Sequence, residues 1–171
     1  RYFVTALRAA HQVNDLPLCA HILGDLSFQA ASRGHPADAI ALGEAARRAS
    51  DAAPLAVRAS VLSRLAYAYA AAGRDNDFAH TRGAARELIA SRDGRQEEPR
   101  WMYFLTDNHL DCQAGYGLIQ MGRAQQKAES GKKSRRFLAQ GTEMLRSGAY
   151  DVPRGDPSQR RAMFEGAWLA L

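Results

Sequence analysis

The sequence predicts an all-α chain of helices joined by short turns, on three observations. Alanine is abundant while Val, Ile and Thr are sparse, a choice that favours helix over strand. Chain breakers recur at intervals of helix length, and between them apolar residues return every three or four positions. No run of alternating polar and apolar residues is long enough to make a strand.

Breakers and periodicity place about eight helices, at 2–13, 16–33, 37–51, 55–72, 75–92, 100–121, 133–148 and 158–171. The first follows from Tyr2, Phe3, Val4, Leu7 and Ala10 and is stopped by Asn14-Asp15. In the second, Leu16, Cys19, Leu23, Leu26 and Ala30 form one apolar stripe that ends at Gly34-His35-Pro36. Ala53-Pro54 separates the third from the fourth, whose stripe is Val57, Val61, Leu65 and Tyr69. Gly73-Arg74-Asp75 opens the fifth, and Asp93-Gly94 with Pro99 closes it. Gly122 and Gly131 bracket the turn before the seventh, and Val152-Pro153 through Pro157 precede the last. A chain of 171 residues that is 46% hydrophobic and 24% charged fits one soluble domain, with no apolar run of roughly 20 residues to cross a bilayer. The uncapped apolar run Ala167-Trp168-Leu169-Ala170-Leu171, and a start at Arg1 without Met, lead us to expect a piece of a longer polypeptide.

An internal repeat emerges when three glycines, Gly34, Gly73 and Gly122, are superposed as the ends of three long helices. Six residues before each stands an aromatic: Phe28, Tyr67 and Tyr116. Thirteen before stand His21, Ser60 and His109, and ten before stand the small residues Gly24, Ser63 and Cys112. Ile22, Val61 and Leu110 are equivalent, as are Ser27, Ala66 and Gly115. Small residues at a fixed position let a neighbouring helix come close, and the apolar positions beside them build a shared core.

This pattern resembles the tetratricopeptide repeat family. Leu23, Leu26, Ser27 and Gly34, followed by Ala39 and Ala46, fit one repeat; Leu62, Leu65, Ala66, Tyr69 and Gly73, followed by Ala85, fit the next. The third keeps Gly115 but carries Asp111 and Ala114 where the motif wants large residues, and the glycines lie 39 and then 49 residues apart, so inserted turns are needed. The resemblance implies a right-handed superhelix, an α-solenoid, whose first helices line a concave groove for a protein or peptide. Carried over, the groove positions are His21, Phe28, Ser60, Tyr67, His109 and Tyr116; the three rings would equally serve as packing between helices. Arg1-Tyr2-Phe3-Val4, Ser27-Phe28-Gln29-Ala30-Ala31 and Trp101-Met102-Tyr103-Phe104-Leu105 are similar to the C-terminal helical region of actinobacterial helix-turn-helix regulators. That likeness implies a cytoplasmic sensor or dimerisation module, docking a partner or its own copy, with DNA bound by domains outside this sequence.

No constellation points to catalysis, a cofactor or a metal. Asp107 and Asp111 would share a helix face while His109 points elsewhere, so the three cannot converge on an ion. Gly115-Tyr116-Gly117 begins like a dinucleotide fingerprint, but Gln120 replaces the next glycine and no strand precedes it. Cys19 and Cys112 read as buried, reduced thiols. Enzymatic chemistry would require the fold to bring a histidine and an acid together in a closed pocket. Finally, Arg123, Lys127, Lys132, Lys133, Arg135 and Arg136 form the densest run of charge in a chain of net charge +5. These cations suit contact with phosphates, the alternative function, although no aromatic lies among them to stack on bases.

Overall fold

The computed structural model describes residues 2–93, 97–127 and 131–150, and every regular element among them is helical. Seven α-helices follow in order: α1 (Tyr2–Gln12), α2 (Leu16–Ser32), α3 (Pro36–Ala49), α4 (Leu55–Ala71), α5 (Asp75–Ala90), α6 (Asp107–Lys127) and α7 (Gly131–Tyr150). A single 3-10 turn, Arg100–Met102, lies between α5 and α6. The eighth helix expected at 158–171 lies outside the described residues.

Helices start and stop where the local chemistry requires it. Asp15 caps α2 by accepting the Leu18 N–H at 3.0 Å, and a proline follows in the first turn. α1, α2 and α4 end alike. Asn14, Gly34 and Gly73 take positive φ (56°, 82° and 72°), and the next N–H reaches back five residues: Asp15 to Ala10, His35 to Ala30, Arg74 to Tyr69, at 2.9–3.0 Å. This Schellman closure satisfies carbonyls that the last turn leaves open, and glycine takes the left-handed conformation without strain.

Helices α2 and α3, α4 and α5, and α6 and α7 form three hairpins, with α1 packed on α2. α4 also lies against α2, α3 and α6, and is therefore buried almost all round. Its sequence suits that place: Ala56, Ala59, Ala66, Ala68 and Ala70 allow close approach, while Val57, Val61, Leu65 and Tyr67 fill the space between helices. Beside it, the Tyr69 hydroxyl donates to Glu44 Oε1 at 2.6 Å, joining α4 to α3. Burial and that carboxylate push the Tyr69 phenol up to about 12, and the same hydrogen bond pulls Glu44 below its usual range.

Two expectations are corrected. Gly122 does not close a helix; α6 continues to Lys127. Its function is close approach, since a Cβ there would lie 2.6 Å from Leu138 Cγ of α7. The α6–α7 crossing is built throughout on absent side chains: a Cβ on Gly115 would meet Leu145 at 3.0 Å, and one on Gly141 would meet the Gly115 carbonyl oxygen at 2.8 Å. Nor does a helix run from 100. α6 begins at Asp107, where Thr106 Oγ1 accepts the His109 N–H at 3.2 Å, and the five apolar residues before it form a turn and a loop.

Gly141→Ala should destabilise the chain by about 1–3 kcal/mol, because the added methyl meets backbone on α6 that cannot yield; urea unfolding measures this, and Gly83→Ala, with open space around it, serves as control. The Tyr69–Glu44 bond gives a second expectation. A folded phenol raised above the unfolded value of roughly 10 contributes stability that is complete below pH 10 and lost towards 12. Tyr69→Phe should therefore flatten the alkaline loss of stability across that window, and ultraviolet titration should show one tyrosine fewer ionising near its top.

Candidate functional site

The residues singled out by the repeat lie side by side on α2, α4 and α6, in the order of the superposition. His21 Nδ1 is 3.3 Å from Ser60 Oγ. Phe28 and Tyr67 stack with ring centroids 4.5 Å apart, and Tyr116 shares their apolar cluster with Cys112 and Ala68. Contacts between positions 39 apart at three levels along α2 and α4 mean that these two helices run parallel and in register.

A further level, missed in the sequence, is the most strongly bonded. Asp25, Arg64 and Gln113 occupy equivalent positions four residues after His21, Ser60 and His109. Arg64 Nε pairs with Asp25 Oδ1 at 3.1 Å, and its Nη1 donates to Gln113 Oε1 at 2.8 Å. Its guanidinium carbon also sits 4.9 Å over the Phe28 ring. One cation thus spans all three helices, charge-paired on α2, hydrogen-bonded on α6 and stacked on an aromatic face. The signal was present, since the 39 and 49 offsets applied to Asp25 return a cation and an amide. At the far end, Gln120 Nε2 donates to the Tyr67 hydroxyl at 3.0 Å, and Ser32 Oγ lies 3.3 Å from the same oxygen. Burial raises the Tyr67 phenol, so it is neutral and bridges as a hydroxyl.

Burial divides the six expected groove residues. Tyr67 is 0% exposed, Ser60 2%, His109 3% and Tyr116 5%, so these four lie inside the protein and present almost no surface to a partner. The physical reason is the enclosure of α4 by its neighbours, which turns its inner positions into core. Only His21 and Phe28 retain partial exposure, together with Asp25, Arg64 and Gln120. The near end is covered by the connector between α5 and α6: His21 packs against Trp101 (centroids 5.1 Å) and Phe104 (6.2 Å), and Phe104 meets His109 edge-on at 5.3 Å.

The fold does bring a histidine beside an acid. His21 Nε2 lies 3.7 Å from Asp25 Oδ2, so hydroxyl, imidazole and carboxylate follow in line through Ser60, His21 and Asp25. Two features separate this from a nucleophilic relay. Asp25 is held more closely by Arg64, which neutralises the charge that would polarise the ring. Ser60 sits mid-helix on the buried α4, where a substrate has no approach. Burial also lowers the His21 pKa, with Asp25 acting against that shift and Arg64 adding to it.

No protein-family model matches the chain, and comparisons with curated proteins and with solved structures find no match either.

The other sequence candidates fall elsewhere. Asp111 faces Arg82 and Arg86 of α5 at 3.8 and 3.6 Å, away from the Phe104 side that His109 meets. Gly115 and Gly117 receive Leu145 and Phe78. Cys19 and Cys112 are both buried, and burial, reinforced by Asp15, raises the Cys19 thiol. Lys132, Arg135 and Arg136 are exposed on the first turns of α7, Lys133 pairs with Asp75, and Arg123 is exposed on α6 close by; the Lys127 side chain lies outside the described residues.

Removing the shared cation should be costly, because it leaves Asp25 and Gln113 without their partner. Arg64→Met is expected to lose about 2 kcal/mol of unfolding free energy, and a double-mutant cycle with Asp25→Asn to show coupling of about 1 kcal/mol, both by chemical denaturation.

Proposed function

We propose that this chain is a non-catalytic interaction module, a TPR-like right-handed array of helix pairs that serves as the sensor or dimerisation region of a bacterial, cytoplasmic transcription regulator. The observation that carries the reading is the lateral registry of α2, α4 and α6, in which equivalent positions of a sequence repeat meet across neighbouring helices. Stacked repeats of this kind hold a continuous face of like positions, and such a face suits an extended partner better than a small substrate. The partner is a protein or peptide, or a second copy of the chain. Among the described residues no helix is long and apolar enough to cross a membrane, which agrees with a module working in water.

Docking falls to the exposed margin of the α2–α4–α6 face, because the centre is closed. Phe28, Gln120 and Arg123 supply an aromatic, an amide and a cation there. Phe28→Ala with Arg123→Glu is expected to weaken association at least tenfold. Sedimentation of the isolated chain tests self-association, and reporter expression under the intact regulator tests any other partner. Melting temperature is recorded for each variant. Loss of association only in step with loss of stability would refute docking at this face.

The exposed cations of α7 favour a second reading, direct contact with nucleic acid. Lys132, Arg135 and Arg136 stand on one exposed stretch beside Arg123, and the α7 N-terminus adds its own partial positive charge. Four phosphate contacts would give a slope of roughly −3.6 for log affinity against log salt on duplex DNA. Fluorescence anisotropy should show that slope and its fall on substituting the three α7 cations with Ala; absent binding at low salt eliminates the reading.

A further inference from the structure

The interval between the second and third equivalent helices is longer than that between the first and second, 49 residues against 39. The extra length lies in the connector between α5 and α6, and residues 97–106 of it are placed against the first two hairpins. Its roots are fixed. Met102 and Leu105 are buried with Ala56, Val57, Ile89 and Leu110, and Arg92 Nη1 donates to the Leu105 carbonyl at 3.2 Å. Glu98 accepts the Ala56 N–H at 3.1 Å and pairs with Arg92 at 3.5 Å. Its tip is less covered. Tyr103 is 80% exposed, while Trp101 and Phe104 are half-buried, packed on the margin of that same cluster beside α4 and in ring contact with His21 on α2. The third hairpin is thereby joined to the first, where a simple array would join neighbours alone.

We propose that the contact of Trp101 and Phe104 with His21 is an acid-sensitive latch: when His21 takes a proton, the connector tip lifts from α2 and uncovers the His21 end of the α2–α4–α6 face. The groups around the imidazole set the direction. On its own helix lies Asp25 at 3.7 Å; α4 contributes Ser60 and Arg64; the connector contributes two uncharged rings; His109 of α6 also meets Phe104. Among the described residues the carboxylate recorded beside the ring, Asp25, is already paired with Arg64 at 3.1 Å, so an imidazolium would find its counter-ion engaged and a guanidinium beside it. The rings above leave the His21 side chain only 13% exposed, so little of the water that would solvate the charge can reach it. Lifting them restores that water.

With the latch closed, burial holds the His21 pKa below its ordinary value, and with the latch open the ring is hydrated and titrates near ~6.5. Closure is therefore fully favoured above that pH and weakens as pH falls through it, by at most about tenfold per unit in the opening equilibrium. The inference stands apart from the identity of any docking partner.

The chain has two tryptophans, so a Trp168→Phe background leaves Trp101 as the sole indole. In that background we expect acrylamide quenching of Trp101 to rise several-fold between pH 7.5 and 5.5 while far-ultraviolet circular dichroism stays constant. His21→Gln, which keeps a polar side chain beside Ser60 and Asp25 but cannot titrate, should make the quenching independent of pH, and His109→Gln should leave the pH response in place. Constant quenching in the parent, a response that survives His21→Gln, one that vanishes with His109→Gln alone, or exposure that coincides with loss of helix would each overturn the latch.

Discussion

Enclosing α4 by α2, α3, α5 and α6 is the constraint on which the rest of the structure depends. A helix surrounded on so many sides cannot present one apolar stripe and one wet face, as a surface helix does. It must be small where neighbours cross, apolar where they leave gaps, and polar only where a partner is waiting. The alternation of Ala with Val, Leu and Tyr from Ala56 to Ala70 meets the first two demands. Ser60, Arg64 and Tyr67 meet the third, each reaching a polar atom on α2 or α6. The same residues that permit the packing therefore fix the relative position of the three parallel helices.

Much of this was legible in the sequence because its signals are local. Gly34 and Gly73 mark helix ends through a backbone conformation that glycine adopts freely, and the stripes of α2 and α4 state their periods directly. Gly122 misled for a physical reason: glycine also serves where two helices touch, and a residue's own neighbours in sequence do not tell the two uses apart. Residues 101–105 misled likewise. Five consecutive large apolar residues carry no period, so burial of Met102 and Leu105 in a turn and of others in a helix leave the same trace.

The site was half legible. The repeat offsets picked out residues that do meet in space, but exposure depends on how many helices surround a position, a property of the assembled fold. Hence Tyr67 and Tyr116, chosen for their contact area, spend it on each other's surroundings. The Asp25, Arg64 and Gln113 level escaped because its members differ in type: a similarity search favours like residues, whereas bonding across helices favours complementary ones.

Glu98 carries a consequence for how the molecule holds together. Pro54 at the head of α4 supplies no side-chain cap, and the Ala56 N–H is instead satisfied by a carboxylate that lies after α5 in the chain. The second hairpin thus borrows its terminus from the segment that introduces the third. Units that share a cap in this way cannot be excised, duplicated or reordered as interchangeable modules, and the head of α4 melts together with the segment that caps it. A chain that looks divisible by its sequence period is tied together across that division.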